Sequence, residues 1–235
     1  LPSSDLCDPD GDGSIITDDG RVVEHAESLD SDLLDSFELG GKFSFLENHI
    51  TVNASVYHIN WEGLPVATTN VTTACDALQN AGEARSQGFE LETAFQVTEQ
   101  FLTEFGVSFV DAELTEDAGV VGQEGDRLPG SPKYNANISA SYEFNLLEKP
   151  AYIRGDYAYV GGFYNNLQES GVEAGDYHTL NMKFGMAFDN VNMDIYINNM
   201  TDSGEVTWVN SVLSDDGRAY RLRPRTVGLN VNWHF

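Results

Sequence analysis

Apolar and polar side chains alternate along nine stretches of this chain. The last stretch is the clearest, because between Thr226 and Phe235 every second residue is apolar and its neighbours are Thr, Gly, Asn or His. A period of two puts all the apolar side chains on one face of a β-strand. The stretch ends on Trp233 and Phe235, and aromatic rings favour the boundary between hydrocarbon and water. The pattern therefore predicts a strand with one face toward lipid.

The other eight stretches repeat this two-faced pattern. They cover residues 36–45, 50–61, 89–97, 103–109, 134–144, 151–159, 179–188 and 191–198. One face carries Phe, Tyr, Val, Ile, Leu and Met, and the other carries mostly Asn, Ser, Thr and Glu. The charged residues of the polar face are Glu38, Lys42, Glu90, Glu92, Glu104, Glu143, Arg154 and Lys183. We expect them to line a hydrated interior as charge pairs. Acid-base catalysis is not indicated, since nothing orients a nucleophile or a leaving group.

The connections between the stretches alternate in length. Short turns at 47–48, 99–100, 146–150 and 189–190 alternate with long segments at 63–86, 115–132, 161–176 and 201–220. Short periplasmic turns and long outer loops are typical of an outer-membrane barrel. The predicted fold is therefore all-β, an antiparallel transmembrane β-barrel spanning 36–235, with 1–35 as an extracellular loop. Because bacterial barrels have an even number of strands, nine strands predict the C-terminal part of a larger barrel, whose remaining part would be a partner.

Composition limits the partners. Among 235 residues, 38 are acidic and 12 basic, giving a net charge of −26. This balance argues against nucleic-acid binding through bulk charge. Two functions stay open for an all-β chain of this kind: a secreted, calcium-binding all-β binding module and a passive porin-like channel.

An acidic loop near the start has the spacing of a calcium site. The candidate ligands at loop positions 1, 3, 5, 7 and 12 are Asp8, Asp10, Asp12, Ser14 and Asp19, and Gly13 stands at position 6. This spacing wraps hard oxygen ligands around one cation. Asp at position 12 shortens the reach of the last ligand. The alternative interpretation is a solvated acidic loop without calcium.

The two cysteines, Cys7 and Cys75, both fall in polar segments outside the nine stretches. We expect them on the same side of the sheet, where one disulfide would form in an oxidising compartment. The alternative is two unpaired thiols.

Basic and aromatic residues of the last loop suggest two further contacts. Arg221, Arg223 and Arg225 share the parity of Val227, which predicts that they point outward above the apolar band. There they would pair with lipopolysaccharide phosphates, because guanidinium binds phosphate bidentately. A solvated strand end is the alternative. Trp208 offers a ring for stacking on a ligand, although such a ring more often packs within its own loop.

Several segments together resemble one family. They are Asn80 to Glu92 (NAGEARSQGFELE), Gly125 to Pro132 (GDRLPGSP), Ile197 to Asp202 (INNMTD), and Arg223 to Gly228 (RPRTVG) ahead of Phe235. In order and spacing these are similar to the late strands of TonB-dependent outer-membrane receptors, from about Ser36 to the end.

The resemblance implies a probably 22-stranded barrel, closed by an N-terminal plug, in the bacterial outer membrane. It implies a non-enzymatic function, the uptake of a scarce nutrient such as a ferric siderophore or similar iron chelate. The implied partners are a small nutrient ligand, membrane lipid and lipopolysaccharide, and TonB through an N-terminal part absent here.

Overall fold

The computed structural model describes residues 14–16, 20, 22–24, 29–70, 75–80, 82–118, 122–167, 173–210 and 218–234. Regular structure in these ranges is entirely β. The strands are β1 (Ser14–Ile16), β2 (Val22–Glu24), β3 (Leu33–Phe45), β4 (Ile50–Glu62), β5 (Pro65–Asn70), β6 (Cys75–Asn80), β7 (Glu83–Thr98), β8 (Phe101–Leu114), β9 (Tyr134–Leu146), β10 (Lys149–Val160), β11 (Phe163–Tyr164), β12 (Glu173–Ala174), β13 (Tyr177–Phe188), β14 (Val191–Asn198), β15 (Val206–Asn210), β16 (Arg218–Arg221) and β17 (Thr226–Trp233). Among the described residues, no helix has the length and apolar character needed to cross a bilayer.

Nine long strands form one antiparallel sheet, in the order β3-β4-β7-β8-β9-β10-β13-β14-β17. Each strand pairs with the next long strand along the chain, as expected of an up-and-down barrel wall. The nine predicted strands are confirmed, and several extend further toward the long loops. β7 begins six residues before Phe89, and β8 continues five residues past Phe109.

The cross-strand register keeps the two predicted faces apart. Phe105 lies opposite Ile138, Ile138 opposite Tyr157, and Tyr157 opposite Leu180. Residues directly opposite each other in an antiparallel pair point to the same face. The apolar residues of neighbouring strands therefore form one continuous surface, and the polar residues form the other.

Tight turns join the strands at one end of the sheet. Leu147 and Glu148 connect β9 to β10 with φ of 50° and 62°. Two central residues with positive φ match the right-handed twist of the flanking strands. The predicted short turns are confirmed, so all the long connections lie at the opposite end.

Tyrosines on the polar face cover glycines of the next strand. Tyr152 of β10 lies opposite Gly185 of β13, and Tyr196 of β14 lies opposite Gly228 of β17. A Cβ added to Gly185 would sit 2.1 Å from the Tyr152 ring, and one added to Gly228 would sit 2.2 Å from the Tyr196 ring. Only glycine leaves room for these rings, so each tyrosine fixes the register of the strand beside it.

Most long connections contain short hairpins that the sequence pattern did not predict. β1 pairs with β2, β5 with β6, β11 with β12, and β15 with β16. These hairpins lie in segments that we expected to be irregular loops. The long connections are thus folded elements placed beyond the sheet.

Candidate ligand-facing wall and loops

The apolar face of the sheet is uncovered. Phe105, Ile138, Leu229 and Trp233 are 42%, 49%, 54% and 66% exposed. Monomeric water-soluble proteins rarely expose a continuous apolar patch of more than a few hundred Å². Within the described part of the chain no second sheet packs on these four side chains, so their environment there is not a dry sandwich core.

Aromatic rings form two belts on this apolar face. Near the long loops Phe89 stacks on Phe109, whose ring centroid is 5.3 Å from that of Tyr134. Near the short turns Phe101 meets Tyr142 at 6.3 Å. Between Phe101 and Phe109 a strand advances about 26 Å, or about 20 Å after a tilt of ~40°, which approaches the ~25 Å apolar band of outer-membrane barrels. The belts therefore mark the two edges of a bilayer.

Charged side chains replace the apolar ones just beyond the belt near the loops. On the outward face, Arg85 forms ion pairs with Glu113 and Asp111, and Lys133 lies 3.6 Å from Asp111. The Lys133 ammonium also sits 5.8 Å from the centre of the Phe109 ring. These charges place the strand ends above Phe109 in water or among polar headgroups.

The opposite face carries a connected polar network. Ser139 donates a hydrogen bond to Glu104 (2.8 Å), and the Arg154 guanidinium pairs with both Glu104 (3.1 Å) and Asp156 (2.8 Å). These groups line a hollow of about 490 Å³ together with Asn137 and other polar residues. Of the charged residues predicted to pair on the polar face, Glu104 and Arg154 do so here. This face can line a hydrated pore.

A second polar group lies nearer the short turns. Asp194 accepts a hydrogen bond from the Tyr152 hydroxyl (2.8 Å) and lies 3.3 Å from the Lys183 ammonium. The Lys183 nitrogen is 5.6 Å from the centre of the Tyr152 ring, over its face. The three side chains come from three adjacent strands, so the polar face is also cross-linked laterally.

The long connections pack into two apolar clusters. One cluster contains Leu64, Val66, Ala84, Leu114, Ala118 and Leu167, with Trp61 and Leu128 against it. Trp61, Ala84 and Leu114 belong to the polar-face side of their strands, so this cluster lies over the inner side of the sheet. The other contains Phe163, Ala174 and Val209, with Val206 against it.

The sequence carries one signal that could have predicted these clusters, namely short runs of apolar and β-branched residues within the long connections. Pro65–Asn70 and Val206–Asn210 both carry such runs, and both are strands of the loop hairpins. Each run is too short to show a period, so the alternation pattern did not predict these hairpins.

The three arginines predicted to face lipopolysaccharide lie in different local settings. The Arg221 guanidinium, in β16, donates to the Gly204 carbonyl (2.8 Å), while Arg225 donates to the Met200 carbonyl (3.3 Å) and lies 3.9 Å from Asp202. Their outward direction was predicted by continuing the alternation of the last strand back along the chain to Arg221. Strand β17 begins only at Thr226, so all three arginines lie outside it. Lipopolysaccharide contact by Arg221, Arg223 and Arg225 stays a prediction.

A buried asparagine ties this last loop to the sheet. The Asn199 amide donates to the carbonyls of Ser203 and Arg223, both at 2.8 Å, and its carbonyl oxygen accepts from the Ser203 backbone N–H. Asn199 is 6% exposed, and its own backbone N–H donates to the Asn181 side chain. Its hydrogen bonds are internal, so this residue is a structural anchor.

Trp208 packs against two other long connections, whereas the more ordinary interpretation of its sequence position placed the ring within its own loop. Its ring centroid is 5.8 Å from that of Phe163, and a Cβ added to Gly130 would lie 3.2 Å from it. It still exposes 39% of its surface. A contact between Trp208 and a ligand stays a prediction.

Most of the predicted calcium and disulfide residues lie outside the described part of the chain. This applies to Asp8, Asp10, Asp12, Asp19 and Cys7. Ser14 lies in β1 and Cys75 in β6. Within the described ranges no group of three or more His, Cys, Asp or Glu side chains is placed to hold a metal ion. The calcium site and the disulfide remain predictions.

An uncovered apolar face bounded by aromatic belts, a polar face with internal charge pairs, and short turns opposite long loops define a section of a membrane-spanning β-barrel wall. The family described as "TonB dependent receptor-like, beta-barrel" matches residues 20–200. The chain belongs to this family. Members of the family are proteins of the bacterial outer membrane, and the chain is assigned to that membrane. Receptors of this family bind small ligands such as siderophores and interact with TonB.

Two kinds of relatives support the family assignment. The metal-pseudopaline receptor CntO of Pseudomonas aeruginosa is 29% identical over 177 residues, which cover 71% of this chain and 23% of the relative. The solved ferric yersiniabactin uptake receptor FyuA from Yersinia pestis has a TM-score of 0.74 at 22% identity, over 87% of this chain and 30% of that one. The siderophore receptor PiuA from Acinetobacter baumannii has a TM-score of 0.70 at 21% identity, over 85% and 28% of the two chains. At these identities the solved structures show the fold alone.

The chain spans about a quarter of the length of the relative CntO. The relatives described here are named as receptors, and none of these names denotes an enzyme.

Proposed function

We propose that the chain is the C-terminal barrel portion of a TonB-dependent receptor that takes up a metal chelate, with a ferric siderophore or similar iron chelate as the favoured cargo. The observation that carries this proposal is the family match over residues 20–200, on a sheet with one polar and one apolar face. The printed names of CntO, FyuA and PiuA, a metal-pseudopaline, a ferric yersiniabactin and a siderophore receptor, favour a chelate among small nutrients.

On this proposal each part of the chain has one task. The apolar face holds the wall in the membrane, and the network around Arg154 lines the pore. The folded loop hairpins meet the ligand at the outer mouth. The complete receptor supplies TonB contact through residues outside this chain, and the chain itself performs no catalysis.

Uptake of radiolabelled iron by cells that carry the complete receptor tests the proposal. Cells depleted of iron should accumulate a matching ferric chelate to saturation, and accumulation should stop when TonB is deleted or the proton gradient is collapsed. Passage of small solutes down their gradient without TonB would instead support a passive porin-like channel. Release of the intact protein into the medium without detergent would support a secreted binding module.

We further propose that the acidic loop of Asp8, Asp10, Asp12, Ser14 and Asp19 binds one calcium ion in the complete receptor. Carboxylate oxygens at this spacing suit Ca²⁺. Calorimetric titration should show heat with the unmodified protein and none with Asp10 and Asp12 both changed to Asn. Absence of heat in the unmodified protein would end the proposal. A disulfide between Cys7 and Cys75 would appear as one cross-linked peptide after digestion without reductant.

Lipopolysaccharide contact by Arg221, Arg223 and Arg225 is a third proposal. Guanidinium groups pair with phosphate bidentately, and all three residues are exposed. Changing all three to Gln should lower the amount of lipopolysaccharide that purifies with the complete receptor. Unchanged retention would reject the contact.

A further inference from the structure

The two apolar clusters of the long connections share one connection. The first cluster, around Leu114, takes buried side chains from the β4–β7 connection, from the ends of β7 and β8, from the β8–β9 connection and from the β10–β13 connection. The second cluster, around Phe163, takes its side chains from the β10–β13 and β14–β17 connections. Among the described residues, the β10–β13 connection alone contributes to both, through Leu167 to the first cluster and through Phe163 and Ala174 to the second.

The segment 163–167, which joins the two clusters, is short. Its two ends, Phe163 and Leu167, are buried, with 6% and 9% of their surface exposed. They are four residues apart, so their Cα atoms are separated by at most about 14 Å. Because so short a segment can absorb little displacement, a shift of one cluster is transmitted to the other.

Hydrogen bonds fix this segment to the connections on both sides. On one side, the Tyr164 carbonyl accepts a hydrogen bond from the Gly130 backbone N–H (2.9 Å). On the other side, the Asn165 side-chain amide donates to the Val209 carbonyl (3.2 Å). Residues 163–167 therefore hold the β8–β9 connection and the β14–β17 connection at the same time.

The hairpins of the long connections depend on the two clusters. An isolated two-stranded hairpin is marginally stable in water at best. The β5–β6 hairpin places Val66 in the first cluster, where it is 7% exposed. The β15–β16 hairpin places Val209 in the second cluster, where it is 4% exposed. Opening a cluster therefore removes the support of the hairpin that packs in it.

We infer that residues 163–167 couple the two clusters, so that the long connections open as one cooperative unit and not one hairpin at a time. Proteins open locally in such contiguous units, at a free energy below that of global unfolding. Binding that orders one connection then lowers the entropic cost of ordering the others. The inference concerns the outer end of the barrel wall whichever solute enters there, so it goes beyond the proposed function and does not depend on the cargo.

Amide deuterium exchange of the complete receptor in detergent, measured by mass spectrometry, tests the coupling. Val66→Ala leaves a cavity in the first cluster, to which β15 and β16 contribute no described residue. Exchange should rise by about fivefold or more in β5, and it should also rise in β15, on the far side of the β10–β13 connection. Val209→Ala should produce the reciprocal rise in β5, because a coupling energy acts equally in both directions.

Val231→Ala provides the matched control, since it makes the same truncation on the outward face of β17, where Val231 is 55% exposed. Exchange in both hairpins should stay unchanged in this variant, and exchange in the central strand β9 should stay unchanged in all three variants. A rise confined to β5 in Val66→Ala, or no rise in either hairpin, would overturn the inference. An equal rise in β9 would show that the connections have no opening unit of their own and would also overturn it.

A double variant tests the path of the coupling. Gly130 also lies against the Trp208 ring, which joins the β8–β9 and β14–β17 connections without residues 163–167. In a Leu167→Ala background, adding Val66→Ala should raise exchange in β5 and leave β15 unchanged. A rise in β15 that persists in this background would assign the coupling to the direct contact and would overturn the role of residues 163–167.

Discussion

A positive charge placed on the apolar face should destabilise the barrel in proportion to its depth in the bilayer. Leu229 lies near the middle of β17, between Val227 toward the loops and Trp233 toward the short turns, and it is 54% exposed. Arginine at the midplane of an outer-membrane barrel costs about 2–4 kcal/mol, falling to ~0–1 kcal/mol near either interface. Leu229→Arg should therefore lower the folding equilibrium constant by between about thirtyfold and several hundredfold. Val227→Arg should cost less.

The neighbouring residue gives a matched control. Asn230 lies on the polar face, directly opposite Asp194. Asn230→Arg adds the same side chain one position along the strand, where it meets water and a carboxylate. We expect its effect on stability to be small beside that of Leu229→Arg.

Equilibrium unfolding of the complete receptor in lipid vesicles, with urea as denaturant, measures the three free energies. The expected order of destabilisation is Leu229→Arg, then Val227→Arg, then Asn230→Arg. A reversed order, with Asn230→Arg the most damaging, would refute the assignment of the faces. Equal costs for all three variants would refute the depth argument.

Two further predictions concern particular contacts. Gly185→Ala should destabilise the barrel by about 1–3 kcal/mol, because the new Cβ displaces the Tyr152 ring. Equilibrium unfolding of Gly185→Ala and of the double variant with Tyr152→Ala measures this cost, and the second change should recover part of the loss. The hydrogen bond from Lys149 to Asp189 (2.6 Å) in the short turns holds the pKa of Asp189 below its usual range. Since the folded pKa is the lower one, the contribution to stability is present above the unfolded pKa and is lost as pH falls through the folded pKa. NMR titration should show the Asp189 pKa rising in Lys149→Gln, and an unchanged pKa would contradict this.

The strands and their faces were predictable because lipid and water impose a period of two on every long strand. The alternation around Ile138 and Leu229 was sufficient to assign both residues to the outward face, and the register confirms it. The positions of the short turns could also be predicted from the sequence, since Asp189 and Asn190 separate two alternating stretches.

The loops were not predictable for a physical reason. Trp208 packs on Phe163, which is 45 residues away in sequence, and on Gly130 from a third connection. Contacts between separate loops leave no periodic signal in any one of them. The same limit applies to the predicted direction of Arg225. We expected it to point outward from the parity of β17, but the strand begins at Thr226 and Asp202 of the preceding loop lies beside the arginine.

Oxygen accessibility of spin labels along β9 tests the central claim most directly. Single labels from Tyr134 to Phe144 in the complete receptor, in membranes, should alternate with a period of two. Labels at Ile138 and Tyr142 should be accessible to oxygen dissolved in lipid, and labels at Asn137 and Ser141 to a water-soluble nickel reagent. The opposite assignment, or no alternation at all, would contradict a wall with lipid on one side and water on the other.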